Sequence, residues 1–164
     1  SSQSRFKTYR TQVLKDHEVI LFKNCFFVLD KWEHHLLKTA ADLQGFKDNY
    51  LAMRTFFDTR KDRLFVVVTI PPTAYTATTV AEAKLARDFA TWLCGPTYLS
   101  GHPNVVCWDL FDKLAVPEGQ THANTIRQSY WTNGDAHPNA TANKMLATDL
   151  ANFLISAAES YKAP

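Results

Sequence analysis

The chain has 164 residues, of which 46% are hydrophobic, 21% charged and 13% aromatic, with only 5 Gly and 7 Pro. That balance excludes disordered, collagenous and low-complexity classes and fits a single domain over 1–164 with one core. Lys and Arg outnumber Asp and Glu by only 18 to 16, so no strong field points at nucleic acid, and no nucleic-acid partner is expected. The longest apolar runs, Val19 to Phe22 and Leu64 to Ile70, fall far short of the roughly 20 residues of a membrane helix, so no membrane partner is expected either. The chain opens Ser1-Ser2-Gln3-Ser4 without Met or a charged-then-apolar leader, which reads as a processed or excised product.

The first predicted element is a helix over 5–15, followed by a strand over 18–26 (EVILFKNCF). A second helix spans 42–59, where Leu43, Phe46, Tyr50, Met53 and Phe57 recur at spacings of three and four. A strand over 64–70 (LFVVVTI) runs into a loop at Pro71-Pro72-Thr73, and a helix over 80–93 follows, with Ala83, Ala86, Phe89, Ala90 and Leu93 on one face. After a loop over 95–103 comes a third strand over 104–110 (NVVCWDL), and then a long loop over 116–139. The last helix runs from Thr141 to about Glu159, with Met145, Leu146, Leu150, Phe153, Leu154 and Ala157 as one stripe and Asn139 or Thr141 as its cap. Short solid apolar runs alternating with helical periods are the pattern of an α/β fold whose parallel sheet is covered by helices. Three cysteines, Cys25, Cys94 and Cys107, cannot all pair internally, and apolar surroundings favour small buried thiols.

Ligands of open parallel sheets bind outside the carboxyl ends of the strands. Here those ends are Asn24-Cys25-Phe26, Thr69-Ile70-Pro71-Pro72 and Asp109-Leu110. The loop into the last helix adds Tyr130-Trp131-Thr132-Asn133-Gly134-Asp135-Ala136-His137-Pro138-Asn139, with an acid and an imidazole two residues apart. A carboxylate beside a histidine fixes its tautomer and stabilises the imidazolium formed when it takes a proton from a nucleophile. Pro138 holds His137 in extended backbone, which keeps the imidazole at the loop tip. On spacing alone two readings stand side by side: Asp135 and His137 as a catalytic pair, or as a turn cap and a surface residue.

The run Asp135-Ala136-His137-Pro138-Asn139-Ala140-Thr141, with the helix after it, resembles the last conserved block of the SGNH (GDSL-type) hydrolases. Val19 to Cys25 resembles the strand of the oxyanion-hole block, Leu64 to Pro72 the next strand and its loop, Ala83 to Leu93 the helix beyond, and Asn104 to Leu114 the strand after that. The similarity covers the chain from about residue 5 to 158. It implies a flavodoxin-like three-layer α/β/α fold and a serine-type ester hydrolase that needs no metal or organic cofactor. The substrate it implies is an ester, with an acetylated carbohydrate as one form, and the habits of the family suggest a secreted or extracytoplasmic location. His137 is then the general base, Asp135 its orienting acid, and Asn24 an oxyanion-hole donor, a type of contact worth roughly 3 to 4 kcal/mol of barrier; Asn24 as a plain strand terminator is the other reading. Cys25, Pro71 and Trp131 fall at substrate-contact positions.

The departures are specific. Asp135 stands two residues before His137 where the family has three, Phe22 stands at a family Gly, and Cys25 at a family Asp. About 17 residues precede the 18–26 strand and read as a helix, so Ser1, Ser2 and Ser4 are poor nucleophiles. The expectation is that the first strands and the serine belong to an N-terminal fragment or other chain that pairs beside strand 18–26, since a bare apolar edge is a liability. A non-catalytic SGNH-like binding or structural module is the alternative; a nucleotide binder is disfavoured because no Gly-rich phosphate loop occurs. The adjacent His34 and His35 suit a solvated helix start better than a metal site, Asp109 and Asp112 suit a strand end better than a glycosidase pair, and Cys25 suits a buried thiol better than a nucleophile.

Overall fold

The computed structural model describes the backbone of residues 2–25, 36–132 and 135–161, with side chains at all of these except 2–7, 135 and 136. The elements in order are α1 (Ser2–Asp16), β1 (Val19–Lys23), α2 (Ala40–Asp58), β2 (Leu64–Val68), α3 (Val80–Leu93), α4 (Pro96–Leu99), β3 (Val105–Trp108), α5 (Leu110–Leu114), β4 (Trp131–Thr132), β5 (Asp135–Pro138) and α6 (Ala140–Ser160), with a 3-10 turn at Gln128–Tyr130. The protein is therefore α/β, with a three-stranded parallel sheet in the order β1-β2-β3.

Every residue of β2 is buried, which explains its unbroken run of apolar side chains. Phe65 and Val67 pack toward α2 and α3, among Tyr50, Phe57 and Phe89. Leu64, Val66 and Val68 point the other way, into a second cluster with Trp108, Leu114, Ala142 and Leu146. Helices thus cover both faces. Their starts are set by local chemistry: Thr39 with Asp42 and Thr79 with Glu82 form reciprocal capping boxes, and Asn139, not Thr141, caps α6 by accepting from the Ala142 amide at 3.0 Å.

The structure shortens all three predicted strands, 18–26 to Val19–Lys23 among them, and for β2 and β3 the reason is visible. β3 stops at Trp108 because Asp109 turns the chain into α5, its carboxylate accepting from the Asp112 amide at 3.1 Å, so Leu110 opens a helix instead of closing a strand. β2 ends at Val68, where the Thr69 hydroxyl donates to Asp109 at 2.9 Å and accepts from the Phe111 amide at 2.8 Å, locking the two strand ends together. The long loop of 116–139 contains an antiparallel hairpin, β4 with β5, so His137 lies on a short strand and not at a loop tip.

β1 is the edge. Ile20 and Phe22 face inward, Phe22 meeting the rings of Tyr50 at 6.1 Å and Phe57 at 5.5 Å, while Val19 is 38% and Leu21 40% exposed. Beside it, α1 and α2 leave an apolar groove of about 580 Å³, lined by Val13, Ile20, Phe22, Met53 and Phe56 among others.

The expectation of buried thiols is corrected at two positions. Cys94, the C-cap of α3, and Cys107 on β3 come within 5.1 Å between Cα atoms and form a disulfide, leaving Cys25 free. Sequence separation of 13 hides this contact, because it arises from α3 folding back along β3. A loop of this size confers about 3 kcal/mol in chain-entropy terms. Denatured without reductant, the chain should present one thiol to Ellman's reagent, and three after reduction; Cys94→Ser should lower the unfolding free energy by about 2 to 4 kcal/mol. Three thiols before reduction would refute the bridge.

Candidate active site

At the carboxyl end of the sheet, on the α6 side, a cavity of about 310 Å³ is walled by Leu21, Lys23 and Cys25 from β1 and its extension, Val68 and Pro71 from β2 and its loop, and His137, Asn143, Leu146 and Leu150 from β5 and α6. The alternation of β1 explains the first group: odd positions turn toward α6, even positions toward α2. Pockets of roughly 300 to 1,000 Å³ are the usual size for small-molecule sites. Apolar side chains dominate the walls, with an imidazole, an amine, a thiol and an amide at the polar positions.

The backbone around His137 is fixed from both sides. Trp131 pairs with Pro138 and Thr132 with Asp135 across the hairpin. The Asn139 amide N–H donates to Tyr130 O at 2.7 Å, and the Asn139 side chain donates to Ser129 O at 2.9 Å. The Asn143 side chain donates to Pro138 O at 3.0 Å, one turn into α6. His137 itself is exposed. The imidazole is therefore carried on a short, doubly anchored strand where solvent or a ligand can reach it.

Of the residues singled out from sequence, Cys25, Pro71 and His137 line one cavity. Asn24 faces the other way: its side-chain amide donates to the Tyr50 hydroxyl at 3.3 Å, a phenol whose pKa burial pushes up to about 12. An oxyanion-hole role would require that amide to leave Tyr50 and cross the strand. Trp131 sits on the hairpin stem, its indole Nε1 buried with no hydrogen-bond partner among the described residues, and its ring meets Tyr75 edge-on at 6.0 Å. The side chain of Asp135 lies outside the described residues, as do Phe26, His34 and His35. Asp109 and Asp112 hold structure: the first caps α5, and the second pairs with Arg87 at 2.7 Å. Among the described residues no group of three His, Cys, Asp or Glu is placed to hold a metal ion, and no helix is long and apolar enough to cross a membrane.

Sequence reasoning missed Lys23 and Asn143 as cavity residues. The alternation of β1 carried the signal for Lys23, and the four-residue step from the Asn139 cap carried it for Asn143.

α6 is pinned to the sheet by a polar clamp. The Trp108 indole donates to Asp149 at 2.7 Å, and the Lys113 amine lies 2.9 Å from the same carboxylate oxygen. Lys113 first and Trp108 second hold the Asp149 carboxyl below its usual range. Against the three comparison sets of protein families, characterised proteins and solved structures, the chain finds no match.

Because the folded pKa of Asp149 is lowered, its contribution is complete above the ordinary carboxylate value of about 4 and is lost as pH falls through the lowered value. The Trp108 indole N–H resonance should hold steady from neutral pH to about 4 and shift below it. Asp149→Asn should abolish that shift at a cost of about 1 kcal/mol or less, since the carboxylate is part-exposed. A shift unaltered in Asp149→Asn would exclude the clamp.

Proposed function

We propose that this chain is the His-bearing part of an SGNH-type (GDSL-type) serine ester hydrolase with a flavodoxin-like layout, acting outside the cytoplasm on an ester such as an acetylated carbohydrate. The observation that carries the reading is the shared cavity: His137 comes from the segment before the last helix, and Cys25 and Pro71 from two strand ends, on the sheet end where α/β enzymes bind ligands. The Cys94–Cys107 disulfide suits an oxidising compartment.

In this mechanism a serine from outside these residues attacks the ester carbonyl while His137 takes its proton. Asp135 orients the imidazole and stabilises its charged form. His137 then protonates the leaving alcohol, and water, activated by the same imidazole, hydrolyses the acyl-serine. The apolar walls of Leu21, Val68, Pro71 and Leu146 suit a small acyl group and exclude competing water.

The serine-bearing segment is assigned to a strand pairing beside β1. Among the described residues β1 pairs with β2 alone, Val19 and Leu21 are exposed, and the groove against α1 continues the apolar surface. A second reading, a non-catalytic module, draws on two facts: among the described residues no serine lines the cavity, and the Asn24 amide is committed to Tyr50.

Purified with every polypeptide that accompanies it, the assembly should be labelled by a fluorophosphonate on a serine of the partner segment. His137→Ala should cut labelling and ester cleavage by roughly 10,000-fold. Leu21→Lys should release the partner segment while the chain stays folded. A folded, intact assembly that takes no label favours the non-catalytic module.

A further inference from the structure

The loop after β2 carries Tyr75, and the segment between α5 and β4 carries His122. The two segments are tied where they meet: the Ile126 amide donates to Thr73 O at 2.9 Å. The second segment is braced further by Val116 N to Thr125 O at 2.8 Å and Asn124 N to Val116 O at 2.9 Å. Arg87 donates to the Asn124 side-chain oxygen at 2.9 Å while pairing with Asp112.

At the tip of this brace the backbone is left-handed at two non-glycine residues, His122 at φ 60° and Asn124 at φ 65°. Asn and His enter that region more readily than most L-residues, though still at a cost of order 1 kcal/mol relative to Gly. The conformation lays the imidazole of His122 on the ring of Tyr75, centroids 4.0 Å apart and planes 23° apart, while His122 remains exposed. On its other contact Tyr75 meets the indole of Trp131 at 6.0 Å and 81°. Ordinary core packing would bury such a stack, but the outer ring of this one faces solvent. Trp131 is in register with Pro138, the neighbour of His137, so the stack stands next to the His137 cavity.

We propose that the Tyr75–His122 stack, backed by Trp131, is a subsite for the pyranose ring of a carbohydrate. The C–H face of a pyranose is apolar and slightly positive, and it fits the outer, solvent-facing ring face of the stacked Tyr75–His122 pair. Only the claim that this sugar belongs to an ester substrate rests on the hydrolase reading; the binding itself does not. A rigid platform fits this use, because a preformed ring stack loses little freedom when the sugar lands.

The test is affinity electrophoresis of the 164-residue chain in gels containing xylan or glucomannan. The chain should be retarded, Tyr75→Ala should abolish the retardation, and His122→Gly should weaken it about tenfold. His122→Gly relieves the left-handed strain, so its melting temperature should not fall; His122→Phe keeps a stacking ring and should retain binding. Absence of retardation in both polysaccharides, or a His122→Gly chain that binds like the parent, overturns the subsite. Retardation of the chain without fluorophosphonate labelling of the assembly supports the subsite and counts against the hydrolase reading. Labelling without retardation does the reverse.

Discussion

Leu64 to Val68 has no solvent-facing side. It is hydrogen-bonded to a parallel neighbour on each edge and packed by helices on each face. A strand in that position admits only apolar side chains, and burying each stabilises the fold by about 1.5 to 3 kcal/mol. Its register fixes where β1 and β3 end, and therefore where Cys25, Pro71 and Asp109 stand. The hydroxyl of Thr69, bridging Asp109 and the Phe111 amide, carries that register into the loops.

How much of this was legible depended on whether the cause was local. The run LFVVVTI announces β2 because burial on both faces leaves no polar alternation to confuse it. Asn139 announces the start of the last helix because a cap bonds to an amide two or three residues away, whereas the Thr39 and Thr79 caps emerge only in the structure. The β4–β5 hairpin was not legible: strands of 2 and 4 residues carry no periodicity, and their pairing is set by the α6 cap. Nor was the disulfide, which depends on how α3 returns along β3.

The site divides in the same way. Cys25 and Pro71 were placed at one end of the sheet by the rule of strand ends, which needs only strand directions, and His137 by the loop that leads into the last helix. Asn24 shows where that rule stops. Adjacent residues at a strand end point to opposite faces, so a one-residue difference separates the cavity side of Cys25 from the Tyr50 side of Asn24. Tyr75 and His122 are 47 residues apart in sequence (122 − 75), and what brings them together is a left-handed turn whose residues are not glycine.

The His137 cavity and the groove beside α1 share one strand. Leu21, Lys23 and Cys25 wall the cavity beneath His137, while Ile20 and Phe22 wall the groove against α1 and α2. A strand added along β1 would alternate its side chains to the same two sides, extending both walls at once. Its direction matters. If it runs parallel, like every pair in this sheet, its carboxyl end arrives beside Lys23 and the His137 cavity; if antiparallel, its amino end does. A residue at the carboxyl end of a parallel strand is held by ladder hydrogen bonds up to its last position and then released into a loop, the arrangement that suits a nucleophile facing a base across a cavity. On the proposed reading, closing the apolar edge and bringing the serine within reach of His137 are therefore one event, and assembly of the sheet controls activity.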